Sequence, residues 1–486
     1  MSNLNVAIKG MTWTTISTVI RSLVSLFQVA ILTRFLSKAD FGLVAIATVF
    51  IGFSQIFLDL GISVGILHKQ NITRNQYSSL FWLNILTGIV ITIILIVISP
   101  FVTRLYGEPT LTPILILLST SVFFSSIGNQ HRIVQQKNLR FKLISLVEIS
   151  GSLLTMLVAV LLCIAGKGIY SLVFSTLFNA IYTNLAFLCI GIRQDNNVYY
   201  HFNIKDTFSF LKIGVFSLGT QLLDYFSREM DVIIISSTLG KEVLGIYSLC
   251  KKLILALYNA VNPILMKVMT PMLAMMQNDL KRLQRVYYDI VETIAFVNFP
   301  IYCLVAIFSF VILKVMYGVE YTEGALTLSL LALHYGYLTT GNPIGSLQTA
   351  LGRTDSGFYW TICRIIFYTG ATYLGALYGI EYIVLSLILT SILSLPISWK
   401  ITVEPLIGGR FREFFMLSFR PYLCTIIYSA GFYYFFSKES QVYICVLIGI
   451  IYIALYIYIF LMTQKKTYLF TIINKAYVNF NSNTIF

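Results

Sequence analysis

Residues 35–42 read Phe-Leu-Ser-Lys-Ala-Asp-Phe-Gly, and residues 238–245 read Thr-Leu-Gly-Lys-Glu-Val-Leu-Gly. The second stretch repeats the first 203 residues on, with Leu36, Lys38 and Gly42 in register with Leu239, Lys241 and Gly245. Each joins the end of one long apolar run to the start of the next. The chain around them is mostly apolar: 57% of its 486 residues are hydrophobic and 11% are charged, where an ordinary soluble domain carries about 25% charged residues. A helix that crosses a bilayer needs roughly 20 apolar residues. Runs of that length follow one another near 12–36, 41–66, 80–104, 113–133, 142–165, 168–192, 209–238, 242–268, 286–313, 323–348, 357–378, 380–402, 416–436 and 441–463. The repeat falls between spans 1 and 2 and again between spans 7 and 8. Six spans separate the copies, so both enter the membrane in the same direction, the pattern of a parallel repeat about an axis along the membrane normal. The expectation is an all-α polytopic membrane protein of about 14 helices. It comprises an N-terminal six-helix lobe (1–200), a C-terminal six-helix lobe (201–405), and two extra helices with a cytoplasmic tail (406–486).

The net charge of +14 records orientation here rather than affinity for nucleic acid. Lys and Arg are retained in cytoplasmic loops. With the N-terminus inside, 22 of the 34 fall in inner segments, 7 in outer segments and 5 within spans. That bias places both termini in the cytoplasm. The first apolar stretch is too long for a cleavable signal and is expected to act as the insertion signal itself. All seven cysteines (163, 189, 250, 303, 363, 424 and 445) lie in apolar runs without a C-x-x-C pair, so they read as small buried hydrophobes. There is no G-x-x-x-x-G-K-[ST] phosphate loop, and no cofactor or metal is expected. The outer loops are short and leave no room for a catalytic domain.

The segment Arg34-Phe-Leu-Ser-Lys-Ala-Asp-Phe-Gly-Leu-Val-Ala, continuing to Leu58-Asp59-Leu60-Gly61 and Phe81-Trp82-Leu83-Asn84, closely resembles the polysaccharide flippases of the Wzx/WzxC type in the MOP exporter superfamily. The run Asp231-Val-Ile-Ile-Ile-Ser-Ser-Thr-Leu-Gly-Lys-Glu-Val-Leu-Gly-Ile-Tyr-Ser is similar to the same family's second-half signature. The resemblance covers at least residues 10–260. It implies two six-helix lobes around a central cavity, as in MATE-like transporters, and residence in the bacterial inner membrane. It further implies movement of undecaprenyl-pyrophosphate-linked oligosaccharides from the inner to the outer leaflet for O-antigen, capsule or exopolysaccharide export. The partners it implies are that lipid-linked substrate, membrane lipid, and the polysaccharide polymerase and export machinery, with no nucleic acid.

Charge in mid-bilayer costs a few to more than ten kcal/mol and so faces a cavity or a partner. Span 7 carries Asp224, Arg228, Glu229 and Asp231. Gln221, Asp224, Arg228 and Asp231 share one helix face at i, i+3 and i+4 spacing, which lets two carboxylates hold Arg228, either as a structural cluster or as a cavity lining. Arg21 corresponds to Asp224 under the 203-residue shift, and the two are a candidate gate. Guanidinium groups grip phosphate oxygens bidentately, so Arg21 and Arg228 are the first candidates for the head group. Lys251, Lys252 and Arg364 are the second, with snorkelling to the interface as the alternative. Without an ATP site the energy would come from an ion gradient, with Asp224 and Asp231 as candidate sites for a coupling H+ or Na+ and for gating. Asp59 and Glu148 read as capping or pairing carboxylates at the inner rim, Glu148 with Arg140 or Lys142. His334 reads as a core histidine before a proton relay. Gly341-Asn342-Pro343, Pro263, Pro300 and Pro396 mark bends.

Two other functions compete. A drug or cation antiporter on the same fold would favour a cavity with net carboxylate charge, which the five intramembrane cations oppose. A membrane glycan polymerase or ligase would need a large outer loop. The topology is testable: reporters fused after Lys142, Arg285 and Arg412 should read cytoplasmic, and those at Lys167 and Lys438 should read outside. One clear reversal removes the orientation and the even span count together.

Overall fold

The computed structural model describes residues 3–69, 71–194, 199–353, 355–436, 448–452 and 454–456, and among these it contains helices and turns but no strand. The first thirteen expected spans each coincide with described helix, some of it broken; most of the fourteenth, 441–463, lies outside the described residues. Among the described residues eight helices are long and apolar enough to cross a membrane, and Ile380–Leu393 with Leu395–Ile407, bent by 43°, pass the same test only when taken together, as a broken span or a re-entrant loop. The chain divides into two compact units, Met1–Ala260 with Tyr368–Ile380, and Val261–Phe367 with Glu381–Phe486.

The first unit holds α1 (Asn3–Leu32), α2 (Lys38–Asp59), α3 (Ile62–His68), α4 (Arg74–Tyr106), α5 (Leu111–Lys137), α6 (Phe141–Ile164), α7 (Tyr170–Gln194), α8 (Ile204–Thr238) and the start of α9 (Gly240–Ala274). In it α5 packs on α4 and α7, α6 on α1 and α7, and α8 on α2, α3 and α4. The polarity of α4 is the reverse of a water-soluble helix. Its buried face includes Ser78, Ser79, Asn84, Gly88 and Ser99, while Val90, Ile93, Ile94, Val97, Phe101 and Leu105 are exposed at spacings of three and four. Lipid is as apolar as leucine, so burial is directed by close packing of small residues and by hydrogen bonding. The buried hydroxyls are satisfied in two ways: Ser99 Oγ donates within its own helix to the Ile96 carbonyl at 2.8 Å, whereas Ser78 Oγ donates to the Tyr199 carbonyl and Ser79 Oγ to Asp206 Oδ2 at 3.2 Å.

The two copies of the repeated motif start α2 and α9. Ser37 caps α2 in a capping box with Asp40: the Ser37 backbone N–H donates to Asp40 Oδ2 at 2.9 Å, and the Asp40 N–H donates to Ser37 Oγ at 3.3 Å. The copies then meet reciprocally. A β-carbon at Gly42 would overlap the Lys241 carbonyl, and one at Gly245 would overlap the Lys38 carbonyl. Only glycine lets two backbones approach so closely. Beside this contact, Lys241 Nζ lies 2.7 Å from Glu108 Oε1.

Further along, the Tyr225 hydroxyl of α8 donates to the Val49 carbonyl of α2 at 2.7 Å. The Leu58-Asp59-Leu60-Gly61 stretch breaks the second expected span: Leu60 and Gly61 are both left-handed, at φ 46° and 70°. Asp59 holds the break by accepting from the Ser63 N–H at 3.3 Å and from Asn129 Nδ2 at 3.3 Å. It therefore caps α3 and ties it to α5. A β-carbon at Gly61 would overlap the Gly214 backbone of α8.

The second unit contains the rest of α9, then α10 (Leu280–Ile307), α11 (Ser309–Met316), α12 (Ala325–Leu338), α13 (Asn342–Leu351), the first part of α14 (Asp355–Ala376), α15 (Ile380–Leu393) from Glu381, α16 (Leu395–Ser398), α17 (Glu404–Ile407) and α18 (Phe411–Phe436). α10 is its spine and packs on α12 and α18. A core of Tyr287, Ile290, Val291, Ile294, Leu347, Trp399, Val403 and Phe414 forms against it, with the Trp399 and Phe414 rings 4.7 Å apart. Pro343 and Pro396 stand at the starts of α13 and α16, where no N–H partner is needed, whereas Pro300 lies inside α10.

The reciprocal glycine contact predicts a particular mutational pattern. Gly42→Ala and Gly245→Ala should each lower stability by about 1–3 kcal/mol through overpacking. The double variant should cost little more than one of them, because a single separation relieves both. Gly219→Ala, whose β-carbon meets open space, should be neutral or stabilising. Thermal unfolding of purified protein measures all four, and strict additivity at positions 42 and 245 would refute reciprocity.

Candidate functional site

Two charged clusters lie inside the first unit. The first joins three helices. Glu148 of α6 receives Arg21 Nη1 of α1 on Oε2 at 2.5 Å. Its other oxygen receives Arg132 Nε and Nη2 of α5 at 3.0 and 2.8 Å. One carboxylate thus holds two guanidinium groups, and the cluster keeps a net positive charge. Glu148 is mostly buried, while the Arg21 and Arg132 side chains remain 46% and 38% exposed. The partners of Glu148 are therefore Arg21 and Arg132, not Arg140 or Lys142 as expected from sequence. Arg21 is bound to Glu148 and not to Asp224, so the expected pairing of Arg21 with Asp224 is not seen. Arg132, an inner-rim charge by sequence, belongs with the candidate residues.

The second cluster spans the α8–α9 hairpin. Lys251 Nζ lies 2.9 Å from Asp231 Oδ1 and 3.5 Å from Glu229 Oε2, and it donates to the Arg228 carbonyl at 2.7 Å. The Tyr247 hydroxyl donates to Asp231 Oδ2 at 2.5 Å, and the Val232 N–H donates to Asp231 Oδ1 at 2.8 Å. Both oxygens of Asp231 are thereby occupied. Lys251 is 6% exposed and does not snorkel: its ammonium is held inside the hairpin. Asp231 pairs with this lysine and not with Arg228, contrary to the expected clamp of two carboxylates on the arginine.

The Arg228 side chain is exposed on α8 and makes no ion pair among the described residues. It lies ten residues before the end of α8, or about 15 Å along the helix axis at 1.5 Å per residue. Of the other candidates, Asp224 is half-buried on α8, Lys252 is exposed on α9, and Arg364 is half-buried on α14 in the second unit. His334 is buried, with Nδ1 3.5 Å from Ser391 Oγ, as a core histidine would be. No group of three or more His, Cys, Asp or Glu among the described residues is placed to hold a metal ion.

In the first cluster one carboxylate is shared by two guanidinium groups, and in the second two carboxylates share one ammonium with the Arg228 guanidinium exposed beside them.

A family model described as "Polysaccharide biosynthesis protein" matches residues 31–325. The chain is 25% identical over 420 residues to the lipopolysaccharide biosynthesis protein WzxC of Escherichia coli (strain K12), covering 86% of this chain and 85% of that protein. It is also 25% identical over 359 residues to the teichuronic acid biosynthesis protein TuaB of Bacillus subtilis (strain 168), covering 74% of each. Among solved structures it is similar in fold to the lipid II flippase MurJ in an inward closed conformation, with a TM-score of 0.74 at 17% identity over 93% of this chain and 98% of that one.

The first cluster makes a prediction. Glu148→Gln leaves two arginines without their shared counter-ion, which should cost about 1–3 kcal/mol after allowing for their partial exposure. Adding Arg132→Gln should recover most of the lost thermal stability. A double variant less stable than Glu148→Gln would show that Arg132 does not need Glu148.

Proposed function

Since the family model matches residues 31–325, the chain belongs to the polysaccharide biosynthesis proteins, and we propose that it is a flippase for undecaprenyl-pyrophosphate-linked oligosaccharides. In this reading it lies in the bacterial inner membrane with both termini cytoplasmic, and carries its cargo from the inner to the outer leaflet. It is a transporter and not an enzyme. Residues 1–200 and 201–405 form the two moving lobes, and 406–486 supply the added helices.

The observation that carries this reading is the exposed Arg228 guanidinium, which has no ion pair within the described chain. With α8 in the bilayer, as the proposed topology has it, an uncompensated charge costs a few to more than ten kcal/mol, so the site is built for water and for a visiting anion. A pyrophosphate has at least two charges and oxygens spaced for a bidentate grip. The prenyl tail can stay in lipid while the head group passes. Arg21, with Arg132 beside it, supplies the second guanidinium, Lys252 adds positive charge, and Lys251 contributes through Asp231. Movement against a gradient draws on the membrane potential, about 2.3 kcal/mol per charge per 100 mV. Asp224 is our choice for the carboxylate that responds to H+ or Na+, with Asp231 second because its oxygens are occupied. A cation antiporter is disfavoured by the same surplus of guanidinium groups.

Purified protein in liposomes with a fluorescent lipid-linked sugar and an imposed ion gradient tests the reading. Arg228→Lys should keep part of the flipping, since it retains charge but loses the planar fork. Arg228→Ala should lose at least about 90%. Wild-type flipping by stable Arg228→Ala protein would remove the residue from translocation.

A further inference from the structure

Arg228 has two carboxylates close by in sequence, Glu229 and Asp231, yet its guanidinium forms an ion pair with neither. The reason lies on the next helix. Lys251 reaches across the hairpin and takes Asp231 at 2.9 Å, Glu229 at 3.5 Å and the Arg228 carbonyl at 2.7 Å. Tyr247 and the Val232 N–H complete the shell of Asp231.

The backbone groups involved are specific. In an α-helix the Val232 N–H and the Arg228 carbonyl are the two ends of one rung. Here Asp231 Oδ1 accepts from the first and Lys251 Nζ donates to the second. The ion pair thus grips both ends of the turn that carries Arg228. Asp231 lies three residues beyond Arg228, within reach on the same helix surface. Without a competing cation the carboxylate would draw the guanidinium onto itself, and the anion site would be self-neutralised.

We infer that Lys251 is a positioning residue for Arg228: by engaging Asp231 and Glu229 and holding the Arg228 carbonyl, it keeps the guanidinium free for the pyrophosphate of the cargo. This rests on the reading of Arg228 as a head-group contact. Lys251 itself, 6% exposed, does not touch the cargo.

The test is a double-mutant cycle on the dissociation constant of undecaprenyl pyrophosphate, measured with purified protein in nanodiscs. Lys251→Met should weaken binding about tenfold in the wild-type background and by less than twofold in the Arg228→Ala background. The same factor in both backgrounds would overturn the inference, because Lys251 would then act independently of Arg228. Lys251→Met also leaves a carboxylate without its cation and can destabilise the fold. Lys251→Met/Glu229→Gln/Asp231→Asn removes all three charges and should bind within twofold of wild type, whereas a triple variant that binds as weakly as Arg228→Ala would show Lys251 to be a direct contact and overturn the proposal. Unchanged binding in Arg228→Ala alone would instead refute the head-group assignment of Arg228, and with it the need for positioning. The two failures therefore have different signatures.

Discussion

A backbone amide in hydrocarbon has no water to bond with, and each unsatisfied group there costs several kcal/mol. The architecture follows from that constraint. Helices satisfy their own amides, so the described residues are helical almost throughout. Where a helix breaks, a specific group closes the gap: Asp59 caps α3 after the left-handed pair Leu60 and Gly61, and Ser37 caps α2. Side chains obey the same rule. Ser99 bonds to its own helix and Ser78 and Ser79 to groups beyond it, while Glu148 and Asp231 take cations from neighbouring helices.

That second rule gives the charge arrangement its functional content. In the first cluster the carboxylate is outnumbered, since Glu148 serves two arginines. In the second, Lys251 serves two carboxylates, and the Arg228 guanidinium beside them balances the count while staying exposed. Exposed guanidinium groups are what an anion carried by a lipid tail requires, and this links the packing of five helices to the proposed transport.

Much of this was legible in the sequence because apolar length and loop charge are one-dimensional properties. The spans and the repeat could be read along the chain, and Arg21, Arg228 and Asp231 stood out there as charges within apolar runs. Their partners could not, because pairing across helices depends on rotation and register. Arg132 was counted as a loop charge since it stands near a span end, and nothing local relates it to Glu148 on the next helix. The Asp231 pairing did leave a trace. Asp231 and Tyr247 each stand eight residues from Leu239, the residue between α8 and α9, so an antiparallel hairpin brings them level, and Lys251 lies one turn beyond. Intrahelical spacing favoured Arg228 as the partner, but the neighbouring helix supplied a better-placed cation.

The contact between the motif copies has a consequence of another kind. Gly42 receives the carbonyl of Lys241 while Gly245 receives that of Lys38, so residue i touches j′ and residue j touches i′. That is the signature of an isologous interface, the kind formed by two identical subunits across a two-fold axis. A half-length chain carrying one copy of the motif would have the surface needed to join a second copy of itself. The internal joint of this protein is thus equivalent to a homodimer interface brought within one polypeptide, and a change in either glycine alters both sides of it.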